Sequence, residues 1–367
     1  MTGSTGRAAH GARQQCSAVR PIELDAMRRA IELAERGLGG TSPNPIVGCV
    51  ILDDEGGPVG EGFHQRAGQP HAEVEALRNA GEQARGGTAV VTLEPCRHVG
   101  RTGPCVNALI EAGVSRVVYA VDDPNAVAGG GAEVLRAAGI DVVGGVLVRE
   151  AAGSNEAWLH RARTGRPFVV WKFATTLDGR SSAADGTSRW ITGDDARRDV
   201  HLLRSRVDAI AAGTGTICAD DPSLTVRLDD VSISRDLRGQ PLRVVVGHRE
   251  ISSSAKVFEG SAPTLLIHEH DPAVVLDELA DRDVVSVLLE GGPTLAGAFM
   301  AAGLIDKVVA YVAPAFLGAG QPVLGSIGIN TITDALRWEV DSVDMVGSDI
   351  RVVARPRAEV RPVPVGE

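Results

Sequence analysis

A chain of 367 residues, 44% hydrophobic and 23% charged, has the makeup of about two or three globular domains, which excludes wholesale disorder. Thirty-seven basic against 47 acidic residues leave a formal charge of −10, and aromatics are only 3%, which speaks against a grip on phosphate backbones and against a base-stacking platform while leaving room for a local basic pocket that takes one small phosphorylated ligand. No apolar run approaches the ~18 residues of a membrane span.

In chain order, Met1–Ile22 is rich in Gly, Ala and Arg without an apolar stretch, and reads as a flexible extension rather than a secretory signal. Leu24, Met27, Ile31 and Leu38 fall near helical spacing and predict an amphipathic helix over Glu23–Gly37. After the turn Thr41–Pro45, Ile46–Leu52 reads as a buried strand. A helix is expected from about His71 to Ala80, a strand over Thr88–Leu93, and a helix opening at Gly103-Pro104 and closing near Gly113. The strand Val117–Val121, the helix Gly131–Ala138 and the strand Ile140–Leu147 complete the first half. Ala151–Arg166 is polar with helical tendency and reads as a linker. The alternation then restarts, with strands at Phe168–Phe173, Ala209–Gly213, Leu242–Gly247, Thr264–His268, Val284–Leu289 and Val308–Val312, and a charged helix over Gly193–Arg206. Leu228–Arg238 reads as a surface loop. Strands alternating with helices imply an α/β layer fold with mostly parallel sheets. The domain layout expected is 1–22 extension, 23–150 first domain, 151–166 linker and 167–367 second domain.

The residues richest in chemistry are His71-Ala72-Glu73, Pro95-Cys96 and Cys105. One His and two Cys supply three zinc ligands, and a catalytic site leaves the fourth place to water, whose pKa the ion lowers. Glu73, two residues after His71 on the same first helical turn, can shuttle protons beside that water. Cys105 opens a helix, where free N–H groups and the helix dipole favour thiolate. A closed structural site with His98 as fourth ligand is the competing reading, but it leaves Glu73 without a task. Five cysteines, odd in number and few for this length, speak for a reducing cytoplasm. Cys16, Cys49 and Cys218 read as bystanders.

The arrangement resembles the zinc nucleobase deaminases, whose signature is H-x-E with P-C-x-x-C. Here eight residues separate the two cysteines, and the lengthened insert Glu94–Cys105 is similar to that of the bacterial riboflavin-biosynthesis deaminases. Asn44–Val50, Gly60–Gly68 and Asp123-Pro124-Asn125 extend the resemblance. It implies zinc on His71, Cys96 and Cys105, Glu73 as acid–base group, Asn44 on the pyrimidine, and His64, His98 and Arg101 near the base or ribose phosphate. Relatives carry an aromatic or His in place of Val99.

In the second half, Val284–Leu289 runs into Glu290-Gly291-Gly292-Pro293-Thr294-Leu295-Ala296-Gly297 and then a helix, a geometry that points backbone N–H groups at phosphate. Without G-x-G-x-x-G spacing this is a weak signal alone. His248-Arg249 follow another strand, where a 2′-phosphate is held in other dinucleotide folds; a solvated loop is the equal alternative. From Pro167 the chain resembles the reductase fused to that same deaminase, through Lys172–Arg180, Ser188–Thr192, Ala196–Asp199, Leu203-Arg204, Gly215-Thr216, Ala219–Arg227, Glu290–Gly292 and Ala313-Pro314.

The chain is thereby identified as a member of the bifunctional riboflavin-biosynthesis family, a cytidine-deaminase-like three-layer domain followed by a dihydrofolate-reductase-like domain. The resemblance implies substrate contacts from Ser188, Arg204, Leu224, Arg227 and Glu290, the two arginines suiting a ribose 5′-phosphate. It implies an NADPH site lined by Ala174, Trp190, Thr216, Asp220 and Gly292, Pro293, Thr294, Leu295, Ala296, Gly297 and Ala298. The expected partner is a small pyrimidine ribose phosphate, with no nucleic acid and no membrane, in a cytoplasmic homodimer or homotetramer built through the reductase half. A nucleic-acid deaminase and a non-catalytic zinc module on a nucleotide sensor are the rival readings.

Overall fold

The computed structural model describes residues 18–98, 103–228, 239–260 and 262–357. Cys16, Val99, Arg101 and most of the Leu228–Arg238 loop therefore lie outside the described residues. Contacts divide the chain into two units. One takes the chain through Leu33, Val47–Phe63 and His71–Ala151; the other takes Ala34–Ile46, His64–Pro70 and the chain from Ala152 on.

The first unit holds a five-stranded sheet of β1 (Gly48–Leu52), β2 (Pro58–Phe63), β3 (Thr88–Leu93), β4 (Arg116–Val121) and β5 (Asp141–Val143), ordered β2-β1-β3-β4-β5. β1 is antiparallel to both β2 and β3, while β3, β4 and β5 run parallel. The expectation of a mostly parallel sheet thus fails for half of this one. The strand responsible, β2, reads P-V-G-E-G-F and offers no apolar alternation. Its glycines serve packing: a Cβ on Gly60 would lie 2.3 Å from the Ala76 carbonyl oxygen, and one on Gly62 2.4 Å from the Ala76 nitrogen. Helix α2 (Ala72–Ala80) lies directly on that strand.

Helix α1 (Pro21–Glu35) begins two residues before the expected start. It carries a buried carboxylate, Glu23, held by Arg116 Nε at 2.7 Å and Arg20 Nε at 2.8 Å. Helix α3 (Cys105–Ala112) starts behind Pro104 and stops at Gly113, whose φ of 73° is the left-handed cap that glycine adopts freely. After α4 (Gly131–Ala137), β5 is shorter than the expected Ile140–Leu147: Gly144-Gly145 end it, and the chain turns into α5 (Val148–Ser154) and α6 (Glu156–Thr164).

The second unit carries β6 (Phe168–Thr176), β7 (Ala209–Gly213), β8 (Leu242–Val246), β9 (Thr264–Ile267), β10 (Ser286–Leu289), β11 (Lys307–Ala313), β12 (Trp338–Val346) and β13 (Asp349–Pro356). The order is β12-β13-β11-β6-β10-β7-β8-β9. From β11 to β9 every pairing is parallel, and an antiparallel β12–β13 hairpin closes the other edge. The hairpin was not expected, because β12 alternates acidic residues with exposed Val340, Val343 and Met345. Val169, Trp171, Val244, Ile267, Leu289 and Phe299 form the core between sheet and helices. Helices α7 (Asp194–Ser205), α8 (Thr214–Asp220), α9 (Pro272–Ala280) and α10 (Pro293–Ala301) connect the strands. β7, β8 and β10 end within about two residues of one another at Gly213, Val246 and Leu289, while β6 runs five residues past the partner of Leu289 to Thr176, paired with β11; this is the edge where open α/β sheets bind ligands.

Candidate active site

In the first unit, three chain segments converge on one point. His71 caps the start of α2, Cys96 follows β3 in the Glu94–Arg97 turn, and Cys105 opens α3. His71 Nδ1 lies 3.1 Å from Cys105 Sγ and 3.6 Å from Cys96 Sγ, and the two sulfurs are 3.5 Å apart. Tetrahedral ligands about 2.0–2.3 Å from a zinc ion stand roughly 3.5–3.8 Å from one another, so the trio fits that ion. Among the described residues no fourth His, Cys, Asp or Glu joins the group. The closed site with His98 as ligand is therefore not what forms, and the Nδ1 of His98 is buried without a hydrogen-bond partner.

The Cys105 thiol, with His71, holds the Cys96 sulfur as thiolate, down to about 4 against the opposing pull of burial. The same contact, helped by burial, pushes Cys105 well up. His71 is raised by its Cys96 partner. Groups that share protons this closely are the donor set a divalent cation deprotonates. The helix-start N–H also serves a sulfur, although not the expected one: the Cys105 amide points at Cys96 Sγ, 3.5 Å away.

Glu73 sits on the first turn of α2 and is 3% exposed. Burial, and then the charge of Cys96, raise its pKa. A buried carboxyl beside the metal-ligand trio, with its pKa raised, suits an acid–base role. Sequence reasoning missed Glu94 as a support. Its carboxylate accepts from the amides of Asp123 (3.2 Å), Gly130 (3.1 Å) and Ala132 (2.9 Å), fixing the loop of the Asp123-Pro124-Asn125 motif. Its only sequence signal is a lone acid at the end of an apolar strand. Asn44 and His64 are brought together at 3.1 Å, Nδ2 to Nε2. Because His64 Nδ1 donates to the Pro70 carbonyl at 3.1 Å, Nε2 accepts from Asn44. The Asn44 carbonyl oxygen takes no part in that contact.

The second unit assembles a charged cluster at its strand ends. Arg204 on α7 and Glu290 after β10 form a bidentate pair, at 2.6 and 2.8 Å, and Arg204 Nη1 donates to Thr225 O at 3.0 Å. Burial would raise Glu290, but the Arg204 charge and hydrogen bonds win and hold it at about 2. Two residues that were not singled out join them. Lys172 on β6, a lone cation in an apolar strand, is lowered by burial against the pull of Glu290. His201, one turn before Arg204, is lowered to about 4 by burial and by Arg204 and Arg227. The His201 ring accepts the Arg227 amide at 3.2 Å. Leu224, at φ 47° and 2% exposed, packs in the core beside Ile210, Ile217 and Leu288.

Beside this cluster the turns after β7 and β10 meet. Gly292 N donates to Thr216 Oγ1 at 3.1 Å, and a Cβ on Gly291 would lie 2.9 Å from the Leu295 side chain. The missing Cβ atoms let Leu295 and Thr216 press against this turn. Of the Gly292–Ala298 stretch, Ala296 and Gly297 turn into the core. Trp190 is 68% exposed, with the Arg197 guanidinium 4.5 Å over its ring. Ala174 and Ser188 are half-buried, and the Asp220 carbonyl accepts from Arg189.

Residues 22–121 match the cytidine and deoxycytidylate deaminase zinc-binding region, and residues 167–352 match the RibD C-terminal domain. The riboflavin biosynthesis protein RibD of Mycobacterium tuberculosis is 54% identical over 327 residues, covering 89% of this chain and 95% of that protein. The chain belongs to the RibD family.

The RibD of Escherichia coli is 45% identical over 88% of this chain and 96% of its own. Among solved structures, Acinetobacter baumannii RibD matches with TM-score 0.84 at 40% identity, covering 92% of this chain and 99% of that one. A Thermotoga maritima diaminohydroxyphosphoribosylaminopyrimidine deaminase/5-amino-6-(5-phosphoribosylamino)uracil reductase matches with TM-score 0.85 at 35% identity and the same coverage. As a RibD protein the chain is a bifunctional enzyme of riboflavin biosynthesis, a zinc-site deaminase joined to an oxidoreductase, and its fold is the two-domain α/β architecture expected from the sequence.

Proposed function

We propose that this RibD protein deaminates 2,5-diamino-6-ribosylamino-4(3H)-pyrimidinone 5′-phosphate and then reduces the ribosyl side chain of the product to ribityl with NADPH. The observation that carries the first step is the His71, Cys96 and Cys105 trio with the buried acid Glu73 beside it. When bound there, zinc supplies Lewis-acid activation of water. Glu73 takes the proton from the attacking water and delivers it to the leaving amine, a role worth ~10²–10⁴-fold in rate. Asn44, braced by His64, offers its carbonyl oxygen to the pyrimidine, and His98 and Arg101 serve the base or ribose phosphate.

For the second step, NADPH supplies hydride when bound. Thr216, Asp220, Trp190, Ala174 and the Gly292–Ala298 turn line its site, with Thr294 the exposed residue of the first turn. Ser188, Arg204, Arg227 and Glu290 hold the substrate, with Leu224 contributing backbone. Because the Arg204 edge is engaged by Glu290, its charge reaches the phosphate from within an ion pair. We assign residues 23–150 to the deaminase and 167–367 to the reductase, with 151–166 as linker and 1–22 as extension. The exposed apolar side chains Val340, Val343 and Met345 on edge strand β12 support assembly of a homodimer or homotetramer through the reductase half. A site built on two thiolates suits the reducing cytoplasm.

The test is a coupled assay in which zinc-loaded protein receives the pyrimidine phosphate with and without NADPH. The expected result is ammonia release in both cases and nicotinamide oxidation equal to the ammonia released. Absence of ammonia from zinc-replete protein refutes the proposal.

A further inference from the structure

We infer that Asp349, beside the turn of the β12–β13 hairpin, is a positioning residue of the reductase: it fixes the Thr192–Gly193 peptide, and through it the segment that presents Trp190. The inference rests on the reading, proposed above, that Trp190 lines the NADPH site.

Trp190 lies between β6 and α7, in turns without helix or strand, and is 68% exposed. A ring that meets a ligand from irregular chain needs an outside hold to keep its place. Two holds converge two residues further on. Arg197, on α7, donates from Nη1 to the Thr192 carbonyl at 2.9 Å, with its guanidinium 4.5 Å over the Trp190 ring. From the other side the Gly193 amide donates to Asp349 Oδ2 at 2.8 Å. The Thr192 carbonyl and the Gly193 amide belong to one planar peptide unit, so both of its polar groups are taken and its plane is set. Of the two acceptors the carboxylate makes the stronger bond, because it is charged.

The hairpin delivers that carboxylate from far along the chain. Gly347, at φ 61°, turns β12 into β13, and a Cβ on it would stand 2.4 Å from Asp195 Oδ2 in the first turn of α7. The turn therefore presses on the helix start and leaves Asp349 only 1% exposed. The helix is tied to the same strands further along. Arg351 on β13 is in register with Asp344 on β12 and with Tyr311 on β11. Its guanidinium donates to Asp199 of α7 at 2.9 Å and to Asp344 at 3.0 Å, and the Tyr311 hydroxyl donates to Asp199 at 2.6 Å. In that register Tyr311 also stands beside Ala174 of β6. Held at two places by β13, α7 gives Asp349 a fixed frame against which to set the Trp190 segment. A buried acid 156 residues from the amide it holds thereby serves the cofactor without touching it.

The test is steady-state reduction of already deaminated substrate by full-length, zinc-loaded protein, with NADPH varied, for wild type, Asp349→Ala, Asp349→Asn, Gly347→Ala and Trp190→Ala. Asp349→Ala should raise the KM for NADPH by about 10-fold, the worth of one hydrogen bond to a charged group, and change kcat far less. Gly347→Ala, whose new methyl group pushes the turn off α7, should give the same signature. Asp349→Asn keeps an acceptor for the Gly193 amide and should bring KM most of the way back to wild type. Ammonia release should be unchanged in every variant. A purely structural role lowers the active fraction, so kcat falls while KM stays; that result overturns the inference. An unchanged KM in folded Asp349→Ala overturns it as well. Should Asp349→Ala fail to fold, Gly347→Ala decides in the same way, because it leaves the carboxylate in place. An unchanged KM in Trp190→Ala overturns the placing of Trp190 at the cofactor, and the inference with it, whatever the Asp349 variants do.

Discussion

The two sites of this protein are built on opposite principles. The deaminase site gathers side chains from the starts of two helices and one turn, and its chemistry sits in four residues within a 35-residue window from His71 to Cys105. The reductase site is laid along the ends of parallel strands, and its central ion pair joins positions 86 residues apart. The first is a point, where one lost ligand removes the function. The second is a surface, where backbone shape and a charge network share the work. The consequence is that variants in the first half should abolish activity without unfolding the chain, whereas variants in the second should mix stability with function.

The largest effect is expected for Cys105→Ser. With three protein ligands, loss of one thiolate should empty the zinc site and end ammonia release. Metal analysis of the purified variant checks this, and full zinc retention would break the picture of a point-like site. Next in size is Arg204→Ala, which strands the buried Glu290 carboxylate and should destabilise the second unit by about 3–5 kcal/mol as well as impair reduction. Urea midpoints measure it. Arg204→Met with Glu290→Gln should recover most of the stability and none of the reductase activity, because it removes both charges together. A smaller contrast separates core from surface. Leu224→Ala should cost about 2–5 kcal/mol, while exposed Trp190→Ala should stay within about 0.5 kcal/mol in stability and weaken NADPH binding instead.

The smallest effect concerns acid. His201 is held at about 4, below its ordinary 6.5, so the folded state takes up its proton later than the unfolded chain. Stability of the second unit should decline as pH falls from about 6.5 to 4. Glu290, held at about 2, contributes stability above the unfolded carboxylate value, and that contribution is lost as pH falls from about 4 toward 2. Thermal melts across this range should show His201→Asn removing the first decline and not the second.

The same contrast explains what was legible in the sequence. The deaminase ligands announce themselves because zinc demands Cys and His at few spacings, and because α2 and α3 carry their caps, Gly81 and Gly113, in the chain. Strand β2 was hidden because Gly60 and Gly62, needed for α2 to press against it, erase its apolar alternation. The β12–β13 hairpin was hidden because its outer strand shows apolar groups to the surface. Lys172, His201 and Glu94 were passed over because a lone charged residue in an apolar strand, or a lone His on a helix, acquires meaning only from what the fold sets against it. The phosphate role of Arg204 comes from the resemblance, which carries no hint that the guanidinium also pairs bidentately with the chain's own Glu290.

The most direct test of two separable sites is to assay both reactions in Glu73→Gln. The amide cannot carry the proton, yet it keeps the shape of the pocket and leaves all three metal ligands in place. The account predicts a folded protein with wild-type zinc content, ammonia release reduced by ~10²-fold or more, and reduction of already deaminated substrate by NADPH nearly unchanged. Near-normal ammonia release, or loss of reduction together with deamination in a folded, zinc-replete protein, would contradict it.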